Sequence, residues 1–193
     1  LFGKSVVALG DVNGDGITDL AVGAYGDDDG AYSAGAVSVL FMNVTVIGAQ
    51  KISNLHGGLS AFYTLDNSDR FGYSLAALGD RNGDGIPDMA VGAPGDDDST
   101  ISNGAISRAG AVYIIFLNSD GTVKAKQKIS NSYGNLASFY RLGVWDFFGS
   151  SIAAIGDLNS DGIADLAVGA DGDEYHLGGS YGTGALYILF MTA

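Results

Sequence analysis

Apolar residues along this chain come in short runs, rich in Val, Ile, Leu and Ala, and each run is closed off by Gly, Asp or Asn. Short β-branched segments bounded by turn residues read as strands. The pattern predicts strands over 4–10, 17–23, 35–42 and 47–53, then over 73–79, 86–92, 110–117 and 123–130. A third set follows over 150–156, 163–169 and 184–191. No stretch carries a helical period of useful length. No apolar run approaches the ~18 residues a membrane span needs.

The three sets are copies of one another. Phe-Gly opens each, at Phe2-Gly3, Phe71-Gly72 and Phe148-Gly149. An apolar run follows (SVVALG, SLAALG, SIAAIG), then an acidic loop: DVNGDGITD at 11–19, DRNGDGIPD at 80–88 and DLNSDGIAD at 157–165. Next come LAVGA, MAVGA and LAVGA, and a second acidic turn, GDDD at 26–29, GDDD at 95–98 and GDE at 172–174. GAVSVLF, GAVYIIF and GALYILF complete the shared part, and the first two copies continue into QKIS. The second copy is longer than the first. Its extra residues enter after the second acidic turn and after the GAV segment, where loops absorb length change. Four-stranded antiparallel units repeated in this way suit the blades of a β-propeller. The blades are expected at 1–70, 71–147 and 148–193, the last without its outer strand, all within one propeller domain.

Composition narrows the function. Apolar residues make up 47%, with 31 Gly and 2 Pro, enough for a real core joined by many tight turns. There are 0 Cys, which excludes disulfides, zinc–thiolate sites and a cysteine nucleophile. The formal charge of −13 argues against nucleic-acid backbones and anionic membranes. The acids gather in Gly/Asn/Asp loops, which points to cation binding more than to a solubilising coat.

In the first acidic loop, positions 1, 3, 5 and 9 are Asp11, Asn13, Asp15 and Asp19, and position 7, Ile17, offers its carbonyl. The second loop offers Asp80, Asn82, Asp84, Ile86 and Asp88. The third offers Asp157, Asn159, Asp161, Ile163 and Asp165. A hard, oxygen-only set with Gly at position 6 suits Ca²⁺, and three such sites are expected, with a structural role. The EF-hand shares the first half of this pattern but ends in Glu at position 12, where this chain has Val22, Val91 and Val168. A metal-free Asx-rich turn is the competing reading, and three in-register copies disfavour it.

Phe-Gly, an acidic loop and Gly-Ala-Pro, complete at Gly92-Ala93-Pro94, resemble the FG-GAP repeat. This is the repeat of the integrin α-subunit propeller and of many bacterial and algal surface proteins. Tyr25 and Asp171 stand where the motif has proline, and Ser160 replaces a loop glycine. The resemblance implies an all-β partial propeller and an extracellular or cell-surface structural or adhesive module. Calcium would stabilise blades that present a protein-interaction surface. A carbohydrate-binding, lectin-like propeller is the alternative. No nucleophile–base pair or phosphate-cradling loop is evident, so no enzymatic activity is expected.

An antiparallel meander sends the calcium loops to one face and the 54–70 and 131–147 crossovers to the other. Each crossover carries an aromatic pair, Phe62-Tyr63 and Phe139-Tyr140, and the second also carries Trp145, opposite Ser68 in the alignment. A protein or glycan partner is expected on this face, near Tyr63, Tyr140 and Trp145. Packing between blades is the competing role for the Phe-Tyr pairs. The second acidic turn reads as solvated, and His56 and His176 as loop histidines. Asn43-Val44-Thr45 matches a glycosylation sequon. Propellers close at about four to eight blades. Three copies, the last without a QKIS counterpart and the first beginning at Leu1, lead us to expect a piece of a longer chain. A six-bladed ring of two copies is the other solution.

Overall fold

The computed structural model describes residues 1–97, 108–173 and 182–192. It contains three antiparallel sheets. β1 (Val6–Gly10), β2 (Asp19–Ala24), β3 (Ala36–Met42) and β4 (Val46–Ile52) form the first, in that order. β5 (Ser74–Gly79), β6 (Asp88–Ala93), β7 (Ala111–Leu117) and β8 (Val123–Ile129) form the second. β9 (Phe148–Gly156), β10 (Asp165–Ala170) and β11 (Ala185–Leu189) form the third, in the order β11-β10-β9. These are propeller-type blades in an open series, a partial propeller. The helical content among the described residues is two 3₁₀ turns, Leu59–Ala61 and Leu136–Ser138, one in each crossover.

Every predicted strand is present, with shifted ends. β2, β6 and β10 each start at the ninth loop position, two residues later than the apolar pattern indicates. The cause is local: the Ile17 amide still donates to Asp15 Oδ1 at 2.8 Å, so Ile17 belongs to the loop. Ile86 and Ile163 repeat this at 2.9 and 2.8 Å.

The Phe-Gly and Gly-Ala pairs are where the sheets meet. Phe71 and Phe148 are fully buried and form parallel bridges to Gly35 and Gly110 of the preceding sheet. The Phe71 amide donates to the Ala34 carbonyl and that of Phe148 to Ala109, each at 2.9 Å. Phe2, which makes no such bridge among the described residues, is exposed. A Cβ on Gly92 would lie 2.1 Å from the Gly149 carbonyl oxygen, so this close approach requires glycine.

β7 shows how a middle blade is used. All seven of its residues are buried. Alternate side chains point to opposite faces of a strand. Tyr113, Ile115 and Leu117 enter the core shared with the first sheet, and Val112, Ile114 and Phe116 the core shared with the third. Each crossover is pinned by one asparagine. Asn54 Nδ2 donates to the Leu65 carbonyl while Asn54 Oδ1 accepts the Leu65 amide, and Asn131 does the same with Leu142.

Candidate metal centre

The three acidic loops fold alike. At position 1, Asp11 Oδ1 accepts the amides of Gly14 and Asp15, at 2.7 and 3.0 Å, and Oδ2 accepts that of Gly16 at 2.8 Å. Asp80 repeats all three bonds. Asp157 repeats those to positions 5 and 6. At position 3, Oδ1 of Asn13, Asn82 and Asn159 accepts the amide of the following aspartate. At position 5, Asp15, Asp84 and Asp161 accept the isoleucine amide. Gly16, Gly85 and Gly162 turn the chain with φ of +84°, +86° and +89°.

Position 9 behaves differently. Asp19, Asp88 and Asp165 are fully buried. Their Oδ2 atoms accept the amide of loop position 2 at 2.9–3.0 Å. Their Oδ1 atoms accept the amides of Met42 and Leu117, the last residues of β3 and β7, and of Met191, two residues past β11. Each thus ties its loop to the end of the neighbouring third strand of its sheet. Burial pushes the Asp88 carboxyl above its ordinary range. Among the described residues, no three acidic or histidine side chains converge into a ready cation cluster. The position-1, -3 and -5 side chains and the isoleucine carbonyl are the candidate donors of each loop. Each carboxylate oxygen has lone pairs beyond the one its amide uses, so this hard oxygen set still fits Ca²⁺.

The second loop carries a feature not read from the sequence. Lys124 Nζ lies 2.7 Å from Asp84 Oδ2, and this contact holds the Asp84 carboxyl below its usual range. The matching residue of the first sheet is Ile47, one place after Val46, as Lys124 follows Val123.

The second acidic turn is not simply solvated. Lys128 Nζ sits 2.9 Å from Asp96 Oδ2, with both side chains essentially buried. Tyr113 also donates its hydroxyl to Asp96 Oδ2, at 2.7 Å, and Lys128 donates to the Tyr63 hydroxyl at 2.8 Å. In the first sheet Lys51 bridges Asp27 and Asp29 at 2.8 and 2.7 Å. Asp27, Asp29 and Asp96 take their cation from the fourth strand, more than twenty residues on, so the pairing is not contained in the turn itself. The signal was the lysine of QKIS, which recurs wherever the fourth strand does. Asp98 and Glu174 lie outside the described residues, as does His176. His56 is an exposed loop histidine, 3.6 Å from Asp29.

The three aromatic candidates separate. The Tyr63 ring packs against Tyr113 (centroids 5.4 Å apart) and under Lys128. Burial, then the Asp96 charge, pushes its hydroxyl up to about 12. Tyr140 repeats that place beside Tyr187 (4.9 Å) but stays 40% exposed, with its hydroxyl on Asp173 Oδ2 at 3.1 Å. Trp145 is 45% exposed, with the Arg108 guanidinium 4.7 Å from its ring centroid. Its φ of +71° matches the +69° of Ser68, the residue it aligns with.

Comparison with known proteins agrees with this geometry. The FG-GAP repeat family matches residues 2–40, 71–115 and 148–189. Integrin alpha-PS5 of Drosophila melanogaster is 34% identical over 90% of this chain, which spans 15% of that protein. Integrin alpha-11 of Homo sapiens is 35% identical over 89% of the chain and 13% of its own length. Phosphatidylinositol-glycan-specific phospholipase D of Rattus norvegicus is 34% identical over 84% of the chain and 18% of its own length. The chain therefore spans a small fraction of each of these relatives. With Phe-Gly at each sheet junction, Gly-Ala facing it across the junction and three matched segments, the chain belongs to the FG-GAP repeat family.

Proposed function

We propose that these residues form a calcium-stiffened propeller segment of an extracellular or cell-surface adhesion module, which presents a surface to a protein partner. The observation that carries the calcium reading is the threefold recurrence of one loop conformation built on oxygen donors. Asp11, Asn13, Asp15 and the Ile17 carbonyl would hold the first ion. Asp80, Asn82, Asp84 and Ile86 would hold the second, and Asp157, Asn159, Asp161 and Ile163 the third. Asp19, Asp88 and Asp165 brace the loops and have lone pairs left to offer. The ion would neutralise the facing carboxylates and stiffen the loop between the first two strands of each blade. The sheets are read as successive blades of one domain, with bounds at 1–70, 71–147 and 148–193. The integrin names of two relatives support the adhesive reading. The phospholipase D name belongs to a protein of which this chain spans 18%, and we read the segment itself as non-catalytic.

Calcium removal tests this. At about 1 mM Ca²⁺ and a Kd on the order of 0.1 mM, each site contributes RT ln(1 + 10), about 1.4 kcal/mol. Three sites contribute about 4 kcal/mol. Melting in EGTA should therefore begin well below melting in calcium, and an unchanged midpoint would refute the reading. For the partner surface, Tyr140 and Trp145 are the accessible candidates, with Tyr63 more enclosed. The exposure of Phe139, at 85%, beside Tyr140 favours a second reading, stacking on a glycan, which a glycan array would separate from protein binding.

A further inference from the structure

The hairpin joining β3 to β4 carries Asn43-Val44-Thr45, which neither the calcium loops nor the partner face uses. All three residues are exposed, Val44 to 95%. The turn is closed by its backbone, the Asn43 amide donating to the Thr45 carbonyl at 2.8 Å. The Val44 amide donates to Asn43 Oδ1, also at 2.8 Å. Asn43 Nδ2 and the Thr45 hydroxyl have no partner among the described residues. The nitrogen on which an N-glycan is built, and the hydroxyl that makes the sequence an acceptor, thus both stand free in solvent.

The matching hairpin of the second sheet is built otherwise. It runs Asn118-Ser119-Asp120-Gly121-Thr122, with no acceptor sequence. Its Asn118 Nδ2 is tied to Thr122 Oγ1 at 3.0 Å, and that hydroxyl donates to Asp120 Oδ1 at 2.6 Å. The strands that follow differ as well. β4 and β8 are each the last strand of a four-stranded sheet. β8 carries Lys124, Lys126 and Lys128, whereas β4 carries only Lys51, near its far end, and Val46–Ala49 bear no charge. Val46 and Ile47 are 52% and 60% exposed. Charged side chains are a usual protection of an edge strand against pairing with another chain. The end of β4 that lacks them lies beside the free Asn43 carboxamide, since Val46 pairs with Met42.

We infer that Asn43 is a site of N-linked glycosylation and that the glycan shields the uncharged end of β4. The inference rests on the extracellular reading above. The donor is an oligosaccharide carried on a lipid pyrophosphate. Asn43 Nδ2 bonds to the anomeric carbon of the sugar next to the pyrophosphate. The bond from that carbon to the pyrophosphate oxygen breaks, and the lipid pyrophosphate leaves with the electron pair. Nδ2 gives up one proton, and nothing is oxidised or reduced. The Met42 amide is bonded to Asp19 at 2.9 Å, so the glycan stands at the acidic-loop end of the sheet. The 54–70 crossover leaves from the other end of β4, roughly 20 Å away, and the partner face stays open.

The test is peptide mass spectrometry on protein isolated from its source cells. Treatment with peptide-N-glycosidase in heavy-oxygen water converts a glycosylated asparagine to isotope-labelled aspartate. Label at position 43 and none at Asn118 is expected. In the same cells Thr45→Ser should keep the label and Thr45→Ala should lose it. Thr45 gives the turn only its carbonyl, so both variants keep the hairpin. Thr45→Ala should also scatter more light than Thr45→Ser at equal concentration, because the end of β4 is then bare, and equal scattering would remove the shielding role. A membrane-impermeant biotin reagent applied to intact cells and their medium reads location separately. Unlabelled Asn43 in protein that the reagent reaches overturns the inference and leaves the extracellular reading standing. Protein that the reagent does not reach overturns both.

Discussion

Gly23, Gly92 and Gly169 hold the same position in β2, β6 and β10, and alanine at each is expected to give two different outcomes. A Cβ on Gly92 would lie 2.1 Å from the Gly149 carbonyl oxygen and 2.2 Å from Ser74 Oγ. On Gly23 the distances are 2.0 Å to the Gly72 carbonyl oxygen and 2.3 Å to Ser5 Oγ. An ordinary carbon–oxygen contact is about 3.3 Å or longer, so the facing sheets would have to separate by roughly 1 Å. That would also strain the bonds from Ser5 and Ser74 to those carbonyls, at 3.0 and 2.7 Å. Overpacking of this kind costs about 1–3 kcal/mol, and an obstructing backbone atom places it toward the upper end. At Gly169 the nearest atom is Ser151 Oγ at 2.3 Å, with no carbonyl of a following sheet behind it. A serine rotamer change relieves that contact for less than about 1 kcal/mol. With about 2–4 °C per kcal/mol for a chain of this size, Gly23→Ala and Gly92→Ala should each lower Tm by several degrees, and Gly169→Ala by little. Circular-dichroism melts and urea titrations of the three variants decide it. A Gly169→Ala loss as large as that of Gly92→Ala would show that the inter-sheet carbonyl is not the cause.

Ser160 holds a φ of +64°, where the other loops place Gly14 and Gly83. Ser160→Gly should raise stability by up to about 1 kcal/mol, read in urea titrations. Asp69 is faced by Asp96, Lys128 and Asp66, and burial first, then the Asp96 charge, pushes its carboxyl up to about 8. The native state then keeps a proton that the unfolded chain releases near pH 4, so stability should fall as pH rises from about 4 to about 8. Asp69→Asn should flatten that slope in melts across the range. Lys124→Ala removes the cation beside Asp84. It should tighten calcium at the second loop by about threefold to tenfold in a calorimetric titration, and an unchanged titration would mean the ammonium is too hydrated to matter.

The sequence by itself determined the unit and its count. Short apolar runs, Gly/Asp punctuation and three aligned Phe-Gly pairs specify blades, because strand pairing within a blade is local and its pattern is written in consecutive residues. The acidic loops were legible for the same reason, since their hydrogen bonds span a few positions. Tertiary structure decided what depends on residues distant in the chain. Asp19, Asp88 and Asp165 read as plain ligands in sequence, yet each is buried and tied to a strand more than twenty residues on. Asp96 looked like part of a solvated turn until Lys128 and Tyr113 closed over it. Tyr63 and Tyr140 carry the same motif, and only their neighbours separate them: Lys128 of β8 covers the first, while the second stays 40% exposed. Burial and charge pairing are properties of the neighbourhood that folding assembles, and a linear pattern does not contain that neighbourhood.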